Sequence, residues 1–183
     1  MILSARVNLE AFELEHIPLL AHWRNDPMVM AYFGRYQPMS FLENQRWYEQ
    51  QLDDKSVRNF IINSRAKPIG WCGLENIESQ HGQAEVFLLI GEADYWGKGL
   101  GCEILSALLG FGFNELNLHR VYAYMLEPNK RALRCFEKCG FTHEGIAREA
   151  IFRHGEYLNM IWMSMLRREF LGRLENTVRE DSQ

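Results

Sequence analysis

A glycine-rich turn between a strand pattern and a helix pattern constrains this chain more than any other feature. The run Tyr95-Trp96-Gly97-Lys98-Gly99-Leu100-Gly101 follows an apolar segment at 86–90 and precedes a helical pattern over 102–116. Glycines at alternate positions let the backbone turn tightly and approach a ligand closely, because they carry no Cβ. The helix that follows points unpaired N–H groups and its positive dipole end at the turn. The segment therefore predicts a phosphate or pyrophosphate site, although a plain strand-to-helix turn explains a short glycine motif about equally well.

The length and composition of the chain favour one ordered globular domain. It has 183 residues, of which 47% are hydrophobic and 13% are aromatic, and this suits a substantial core. The formal net charge of -4 argues against a nucleic-acid partner, since such proteins carry a basic stripe. No apolar run is long enough to span a membrane, and the first residues lack the pattern of a signal peptide. We therefore expect no membrane contact and a cytoplasmic location.

Hydrophobic periodicity predicts a mixed α/β fold, with helices packed around one twisted sheet. Strands are predicted at 2–9, 59–63, 67–75, 84–90, 120–126, 141–153 and 156–166, and helices at 14–24, 27–32, 40–52, 102–116 and 129–139. The strands at 84–90 and 120–126 should be parallel neighbours, because a long helix connects them as a crossover. The glycine turn then lies at the carboxyl end of the first of these strands, where open α/β sheets bind ligands. We expect residues 1–168 to form the domain and 169–183 to form a tail that is partly helical or frayed.

The cysteine residues do not predict a metal site. Cys72, Cys102, Cys135 and Cys139 are widely spaced and show no Cys-x-x-Cys pair. Cys135 and Cys139 lie one turn apart on a predicted helix, but two ligands without a His or Cys companion make a poor zinc site. We expect small buried thiols and no metal.

The residues around the glycine turn support a family resemblance. The segment 90–103 resembles the acetyl-CoA-binding motif of the GNAT superfamily of N-acetyltransferases, Gln/Arg-x-x-Gly-x-Gly/Ala, with Trp96 in the Gln/Arg position. Residues 129–141 resemble the family block Asn-x-x-Ala-x-x-x-Tyr-x-Lys-x-Gly-Phe, and residues 144–149 resemble its terminal hairpin. Residues 23–27 are similar to the start of the RimJ/RimL-type branch. The likeness covers nearly the whole chain.

This resemblance implies a GNAT-like single domain in which two strands splay apart at the acetyl-CoA site. It implies direct transfer of the acetyl group of acetyl-CoA to a primary amine by a monomer or homodimer. The acceptor stays open: the N-terminal amine of a ribosomal or other protein, or a small-molecule amine. Polyamines of the spermidine type and amino sugars are the alternatives among small molecules. A catalytically weak acyl-CoA-binding module is a second alternative.

The resemblance also implies which residues bind acetyl-CoA. The pantetheine arm pairs with the strand at 88–90, and the amides of the glycine turn bind the pyrophosphate. The implied cofactor-binding set is Leu88, Leu89, Ile90, Trp96, Gly97, Lys98, Gly99, Leu100, Gly101, Cys102, Asn129 and Phe136. Phe136 stands where the family usually has a tyrosine that protonates the thiolate of CoA, and a phenyl ring cannot donate that proton. Water or another group must then supply it.

The acceptor amine must lose a proton before it attacks, and a carboxylate or histidine can accept that proton. Glu85 is the first candidate for the base, with Glu75 and His81 as weaker ones, and Asn129 is expected at the catalytic centre too. The candidate substrate-binding residues are Trp23, Tyr32, Phe33, Tyr36, Arg153 and Tyr157, although most aromatic residues in such a chain belong to the core. A polyamine would need a cluster of carboxylates. The candidates Glu43, Glu49, Asp53 and Asp54 are explained as well by a solvated helix face.

Overall fold

Within residues 1–33 and 37–180, which the computed structural model describes, eight strands form one mixed sheet. The strands are β1 (Ile2–Leu3), β2 (Asn8–Ala11), β3 (Arg58–Ser64), β4 (Lys67–Glu78), β5 (Gln83–Ile90), β6 (Arg120–Leu126), β7 (Thr142–Arg153) and β8 (Glu156–Leu166). The helices are α1 (Ile17–Asn25), α2 (Phe41–Leu52), α3 (Leu100–Asn114), α4 (Lys130–Lys138) and α5 (Arg167–Glu180). The strand order is β1-β2-β3-β4-β5-β6-β8-β7. The predicted mixed α/β class is confirmed. None of the helices in the described ranges is long and apolar enough to cross a membrane.

Two predicted elements were wrong. The predicted strand at 2–9 is a hairpin, in which β1 and β2 pair antiparallel around a turn where the Ser4 N–H donates to the Val7 carbonyl at 3.1 Å. The predicted helix at 27–32 is a series of turns. The side chain of Asp26 accepts from the N–H groups of Met28 and Val29 at 2.8 and 3.3 Å. These hydrogen bonds satisfy the two N–H groups without a helix. A helix does not form here because a segment this short does not offset the cost of helix nucleation.

The predicted start of the helix at 40–52, which is α2 in the structure, is confirmed. The Ser40 hydroxyl accepts from the Glu43 N–H at 3.3 Å, and the Glu43 carboxylate accepts from the Ser40 N–H at 2.7 Å. The two residues form a capping box that satisfies donors at the first turn of α2 in both directions.

The core has two layers, one on each face of the sheet. Helices α3 and α4 cover one face and bury residues such as Ile104, Leu108 and Phe136. Helices α1 and α2 cover the other face, where Trp23 and Trp71 are buried. Side chains alternate along a strand, so β5 contributes to both layers.

Strands β5 and β6 are parallel, as predicted, but they pair only over a short stretch. The pairing joins Gln83–Glu85 to Arg120–Tyr122. From Val86 to Ile90, β5 continues along β4 on one side, while none of the described pairings joins it to β6. The sheet therefore opens between these strands on the carboxyl side of Glu85.

The start of α5 packs into the core beneath α3. Phe170 is 6% exposed, and its ring lies 5.4 Å from that of Phe113. The neighbouring Leu171 is 41% exposed. The first turn of α5 thus completes the layer on the α3 face.

Replacing Phe170 by alanine should lower the free energy of unfolding by about 3 kcal/mol, because a buried phenyl group leaves a cavity. The matched change Leu171→Ala, one residue along the same helix, should change it by less than about 0.5 kcal/mol. Urea unfolding of both variants measures this difference. Equal effects would show that α5 does not dock as described.

Candidate functional site

The glycine turn presents a set of backbone donors at the start of α3. Gly97 and Gly99 have φ values of +72° and +78°, a left-handed conformation that favours glycine. Gly99 is also the N-cap of α3. The backbone hydrogen bonds described outside helices and strands include none donated by Gly97, Lys98 or Gly99. The first N–H groups of α3 have no intrahelical acceptor either, so the turn can bind an anion.

An arginine near the N-terminus braces this turn. The Arg6 Nε lies 2.8 Å from a Glu103 carboxylate oxygen in the first turn of α3, and Arg6 Nη1 donates to the Lys98 carbonyl at 2.9 Å. The Ser4 hydroxyl donates to the same carboxylate at 2.7 Å. The Glu103 charge is therefore engaged by Arg6 and Ser4.

A cavity of about 670 Å³ passes through the gap between β5 and β6. It is lined by residues 88–90 of β5, by Cys102 and Phe136 from the α3 and α4 side, and by Tyr32 and Phe33 from the α1 and α2 side. Because both faces of the sheet contribute to its lining, two molecules can approach each other through the gap from opposite sides.

Trp96 closes the open end of β5. Its indole Nε1 donates to the Ile90 carbonyl at 2.7 Å. The Arg131 guanidinium lies 4.1 Å from the Trp96 ring centre, which is a cation–π contact. In the position where the family motif has Gln or Arg, this chain thus has an aromatic ring that accepts an arginine from α4.

Four basic residues of α4 line the mouth of the cavity, and they were not predicted from the sequence. They are Lys130, Arg131, Arg134 and Lys138. They lie along one side of a helix that buries Leu133 and Phe136 on the other. This amphipathic pattern is visible in the sequence and could have identified them. Together they supply positive charge beside the glycine turn, in a chain whose net charge is -4.

Asn129 and Phe136 both line the cavity. The Asn129 side chain accepts from the Ala132 N–H at 3.1 Å, so it also caps α4. Phe136 is 6% exposed and packs 4.8 Å from the Phe141 ring. Its ring supports the wall of the cavity but contributes no donor.

Glu85 lies on the face of the sheet that carries α1 and α2, where β5 and β6 begin to diverge. Its cross-strand neighbour on β4 is Glu75, and Asn76 donates to its carboxylate at 3.0 Å. Burial, assisted by the charge of Glu75 and opposed by the Asn76 hydrogen bond, raises the pKa of Glu85 to about 7. A base poised near neutral pH suits proton transfer. Glu85 is three residues, roughly 10 Å, from Leu88 along the strand, and it is not among the residues that line the cavity.

Two tyrosines extend this surface, and the sequence analysis did not single them out. Tyr122 pairs with Glu85 across the β5–β6 ladder. Its ring lies 5.5 Å from that of Tyr124, and the Tyr124 ring lies 4.4 Å from that of Trp162. Strand alternation places Tyr122 and Tyr124 on the face of Glu85, a pattern that was visible once the strand at 120–126 was predicted.

The candidate substrate-binding residues divide into two groups. Tyr32 and Phe33 line the cavity, whereas Tyr36 lies outside the described residues. Trp23 is completely buried, and its indole N–H donates to the Glu92 carboxylate at 3.2 Å. Trp23 therefore supports the α1 layer, and it is not among the residues that line the cavity; its contact with the substrate stays a prediction.

Arg153 and Tyr157 are not among the residues that line the cavity, and their role in substrate binding stays a prediction. The Arg153 guanidinium is buried and donates to the backbone carbonyls of Met30 and Phe33. It therefore holds the segment that carries the cavity-lining aromatic residues. Tyr157 is 66% exposed and packs against Phe152 with ring centres 5.0 Å apart, and it is not among the residues that line the cavity.

Several charged candidates lie away from the cavity lining. Lys98 is exposed, with its Nζ 5.4 Å from the centre of the Tyr95 ring. His81 is exposed and lies 4.0 Å from Glu78. Glu43 is engaged in the capping box of α2, and Asp54 accepts from the Ser56 hydroxyl at 2.6 Å. Glu43 and Asp54, two of the four carboxylates considered for polyamine binding, therefore accept hydrogen bonds from neighbouring residues in the chain.

The positions of the thiol side chains contradict the expectation that Cys135 and Cys139 have no third cysteine or histidine nearby. Cys135 and Cys139 do have a companion, because the sulfur atoms of Cys102, Cys135 and Cys139 all lie within 4.8 Å of one another. Cys102 and Cys135 also line the cavity. Hydrogen bonds from Cys139 and then Cys102, opposed by burial, lower the pKa of Cys135 to about 7.

Comparisons with known proteins agree with this geometry. The family model described as Acetyltransferase (GNAT) domain matches residues 6–142. The spermidine N(1)-acetyltransferase of Vibrio cholerae serotype O1 is 29% identical over 94% of this chain and 100% of its own length. That of Escherichia coli K12 is 29% identical over 90% of this chain and 88% of its own. The crystal structure of the Vibrio cholerae spermidine N-acetyltransferase with CoA and spermine superposes with a TM-score of 0.86 at 28% identity, covering 91% of this chain and 98% of that one.

Replacing Gly99 by leucine should raise the Kd for acetyl-CoA at least tenfold. The left-handed backbone strains any residue with a Cβ, and the new side chain blocks the anion site beside the turn. Titration calorimetry measures the affinity, and circular dichroism checks that the fold is kept. Gly172→Leu is the control, because Gly172 lies on α5 with no atom within 4 Å of an added Cβ. Unchanged acetyl-CoA affinity in Gly99→Leu would contradict the site.

Proposed function

The chain belongs to the acetyltransferase (GNAT) domain family, and from that premise we propose that its acceptor is a linear polyamine of the spermidine type. Family membership makes it an enzyme that transfers the acetyl group of acetyl-CoA to an amine. The acceptor class and the roles of individual residues are the proposal. The RimJ/RimL-type branch, the cytoplasmic location and the monomeric or homodimeric state stay predictions.

The donor approaches from the side of α3 and α4. The pyrophosphate of acetyl-CoA binds the free N–H groups of the glycine turn and the start of α3. The basic residues of α4 at the mouth of the cavity complement its remaining phosphate charge. The pantetheine arm lies along the unpaired edge of β5 at Leu88 and Leu89, where a backbone N–H can stabilise the oxygen of the thioester carbonyl. The Ile90 carbonyl is already taken by Trp96.

The acceptor approaches from the other face, where carboxylates and aromatic rings meet. Glu75 and Glu85 carry like charges on adjacent strands, and Tyr122 lies beside Glu85. A chain of ammonium groups is attracted both to carboxylates and to aromatic faces. This paired-carboxylate surface beside a gap through the sheet is the observation that carries the proposal. The spermidine N-acetyltransferases that resemble the whole chain support it.

The chemistry then follows from the two sides of the gap. Glu85 accepts a proton from the terminal ammonium group through water, and the free amine attacks the thioester carbon. The C–S bond breaks as the new C–N bond is completed, and the thiolate of CoA leaves. The nitrogen loses its second proton as it becomes an amide. Because Phe136 has no hydroxyl group, water in the cavity accepts this proton and gives one to the thiolate.

A panel of amines tests the acceptor. We expect spermidine to give a kcat/KM at least tenfold above that of an aminoglycoside or of a peptide with a free N-terminus. Release of CoA thiol gives the rate, and the mass of each product confirms that one acetyl group was added. A preference for the peptide or the aminoglycoside would contradict the polyamine. Acetyl-CoA binding without thiol release on any amine would favour the acyl-CoA-binding alternative.

The pH profile of kcat/KM tests the role of Glu85. A base works only when deprotonated, so the rate should fall as the pH drops through the pKa of about 7. This fall is the acid limb of the profile. Glu75→Gln removes a like charge and lowers the pKa of Glu85, so it should move the acid limb to lower pH. Glu85→Gln should reduce kcat about 100-fold and remove the limb.

The control for both variants is Glu10→Gln, the same change of charge on β2, three strand positions from β5. Glu10→Gln should leave the acid limb of the pH profile at the pH of the wild type. If Glu75→Gln leaves the limb in place, or Glu85→Gln keeps the wild-type profile, Glu85 is not the base.

A further inference from the structure

Three cysteine side chains from two helices converge beside the cavity. Cys102 lies in the first turn of α3, and Cys135 and Cys139 lie one turn apart at the end of α4. The sulfur atoms lie within 4.8 Å of one another, and those of Cys102 and Cys135 are 3.9 Å apart. Cys139 is buried, while the other two are half-buried at the cavity surface.

The backbone is shaped around these thiols. A Cβ added to Gly101 would lie 2.7 Å from the Cys135 sulfur, so glycine at this position leaves room for the thiol between α3 and α4. The Cys102 thiol donates to the Cys135 carbonyl at 3.5 Å, which ties the two helices together at this point. The cluster thus rests on fixed helix positions and not on a loop.

We propose that Cys102, Cys135 and Cys139 form a binding site for a thiophilic d¹⁰ cation, Zn²⁺ or Cu⁺. Three thiolate sulfurs bound at about 2.3 Å to one such ion lie roughly 4 Å from each other. The cluster matches this spacing after a contraction of less than about 1 Å. Thiolates select these soft cations over Mg²⁺ or Ca²⁺, which prefer oxygen ligands.

The charge and openness of the site fit such a cation. Binding replaces three thiol protons by the ion and leaves a small net negative charge, which Arg131 and Lys138 of α4 can offset. Cys102 and Cys135 line the cavity, so any further coordination position points to solvent. Three protein ligands with one open position are typical of zinc sites that are not purely structural.

This placement couples the cation to the cofactor. Since two of the three ligands line the cavity that we propose for acetyl-CoA, a bound cation draws them together and narrows the pocket. We expect the Kd for acetyl-CoA to rise at least fivefold when the cation is bound, and acetyl-CoA to weaken cation binding by the same factor. This consequence rests on the proposed function, whereas cation binding itself does not.

Titration of the full-length protein tests the site. The metal-free protein is kept reduced with a phosphine, and Zn²⁺ or Cu⁺ is added in competition with a chromophoric chelator. We expect one ion per chain, and at least tenfold weaker binding in Cys102→Ala, Cys135→Ala and Cys139→Ala. Cys72→Ala is the matched control, because Cys72 is buried on β4 outside the cluster, and it should bind like the wild type. Stoichiometric binding that survives Cys139→Ala, or no stoichiometric binding of either ion, would overturn the proposal.

A second measurement uses the wild-type protein, so that a variant that fails to fold cannot obscure the result. The bound cation should slow alkylation of Cys102 and Cys135 at least tenfold. Peptide mass analysis measures the rate of alkylation at each cysteine. Alkylation at the same rate with and without either cation would also overturn the site. Cys139→Ala, which leaves the cavity lining intact, should keep the acetyl-CoA affinity of the metal-free wild type. Loss of acetyl-CoA binding in the metal-free wild type would instead contradict the proposed function.

Discussion

Strands β5 and β6 pair only from Gln83 to Glu85, and this limited pairing creates the gap around which the functional site is built. After Glu85 the two strands separate, and β5 keeps only its ladder with β4. Unpaired backbone groups inside a protein are costly unless another partner satisfies them. Here the Trp96 indole satisfies the Ile90 carbonyl at the end of the open edge, while the edge before it faces a cavity large enough for a ligand. A molecule that carries amide groups can complete this edge, and the pantetheine arm of acetyl-CoA is such a molecule.

The charges of the molecule are divided between the two sides of the gap. The side of α3 and α4 presents free amides, the positive end of a helix dipole and the basic residues of α4. The opposite side presents Glu75 and Glu85 among tyrosine rings. A chain with a net charge of -4 therefore has a positive mouth on the side of acetyl-CoA and a negative surface on the side that we propose for the acceptor. For acetyl-CoA and for the proposed polyamine, such focusing of charge raises the local concentration without any change in the net charge.

The amino-acid sequence predicted the elements that depend on local pattern and failed where distant parts of the chain meet. The strands at 59–63 and 120–126, the capping box at Ser40 and the crossover were predicted because periodicity, caps and handedness act over short distances. The short helix at 27–32 was wrong, since a side-chain cap there satisfies a turn equally well. The burial of Trp23 and the contact between Cys102 and Cys135 depend on how α1 packs on the sheet and how α3 packs against α4. No periodicity reports that Cys102, 33 positions earlier in the chain, lies against α4.

The pairing of Glu75 with Glu85 is informative because it places two carboxylates directly opposite each other on adjacent strands. Like charges directly opposite each other on adjacent strands destabilise a sheet, and burial adds to the cost of ionising Glu85. One cation in the protein already acts on this pair. Arg24 is buried between the rings of Trp47 and Trp71, at 4.1 and 4.6 Å; burial lowers its pKa, and the charge of Glu75 opposes that lowering. Its guanidinium donates to the Asn44 amide oxygen at 3.0 Å. Arg24 thus offsets part of this cost, and the ammonium groups of the polyamine that we propose as acceptor would offset more of it, at the edge of the gap where the terminal amine must lose a proton.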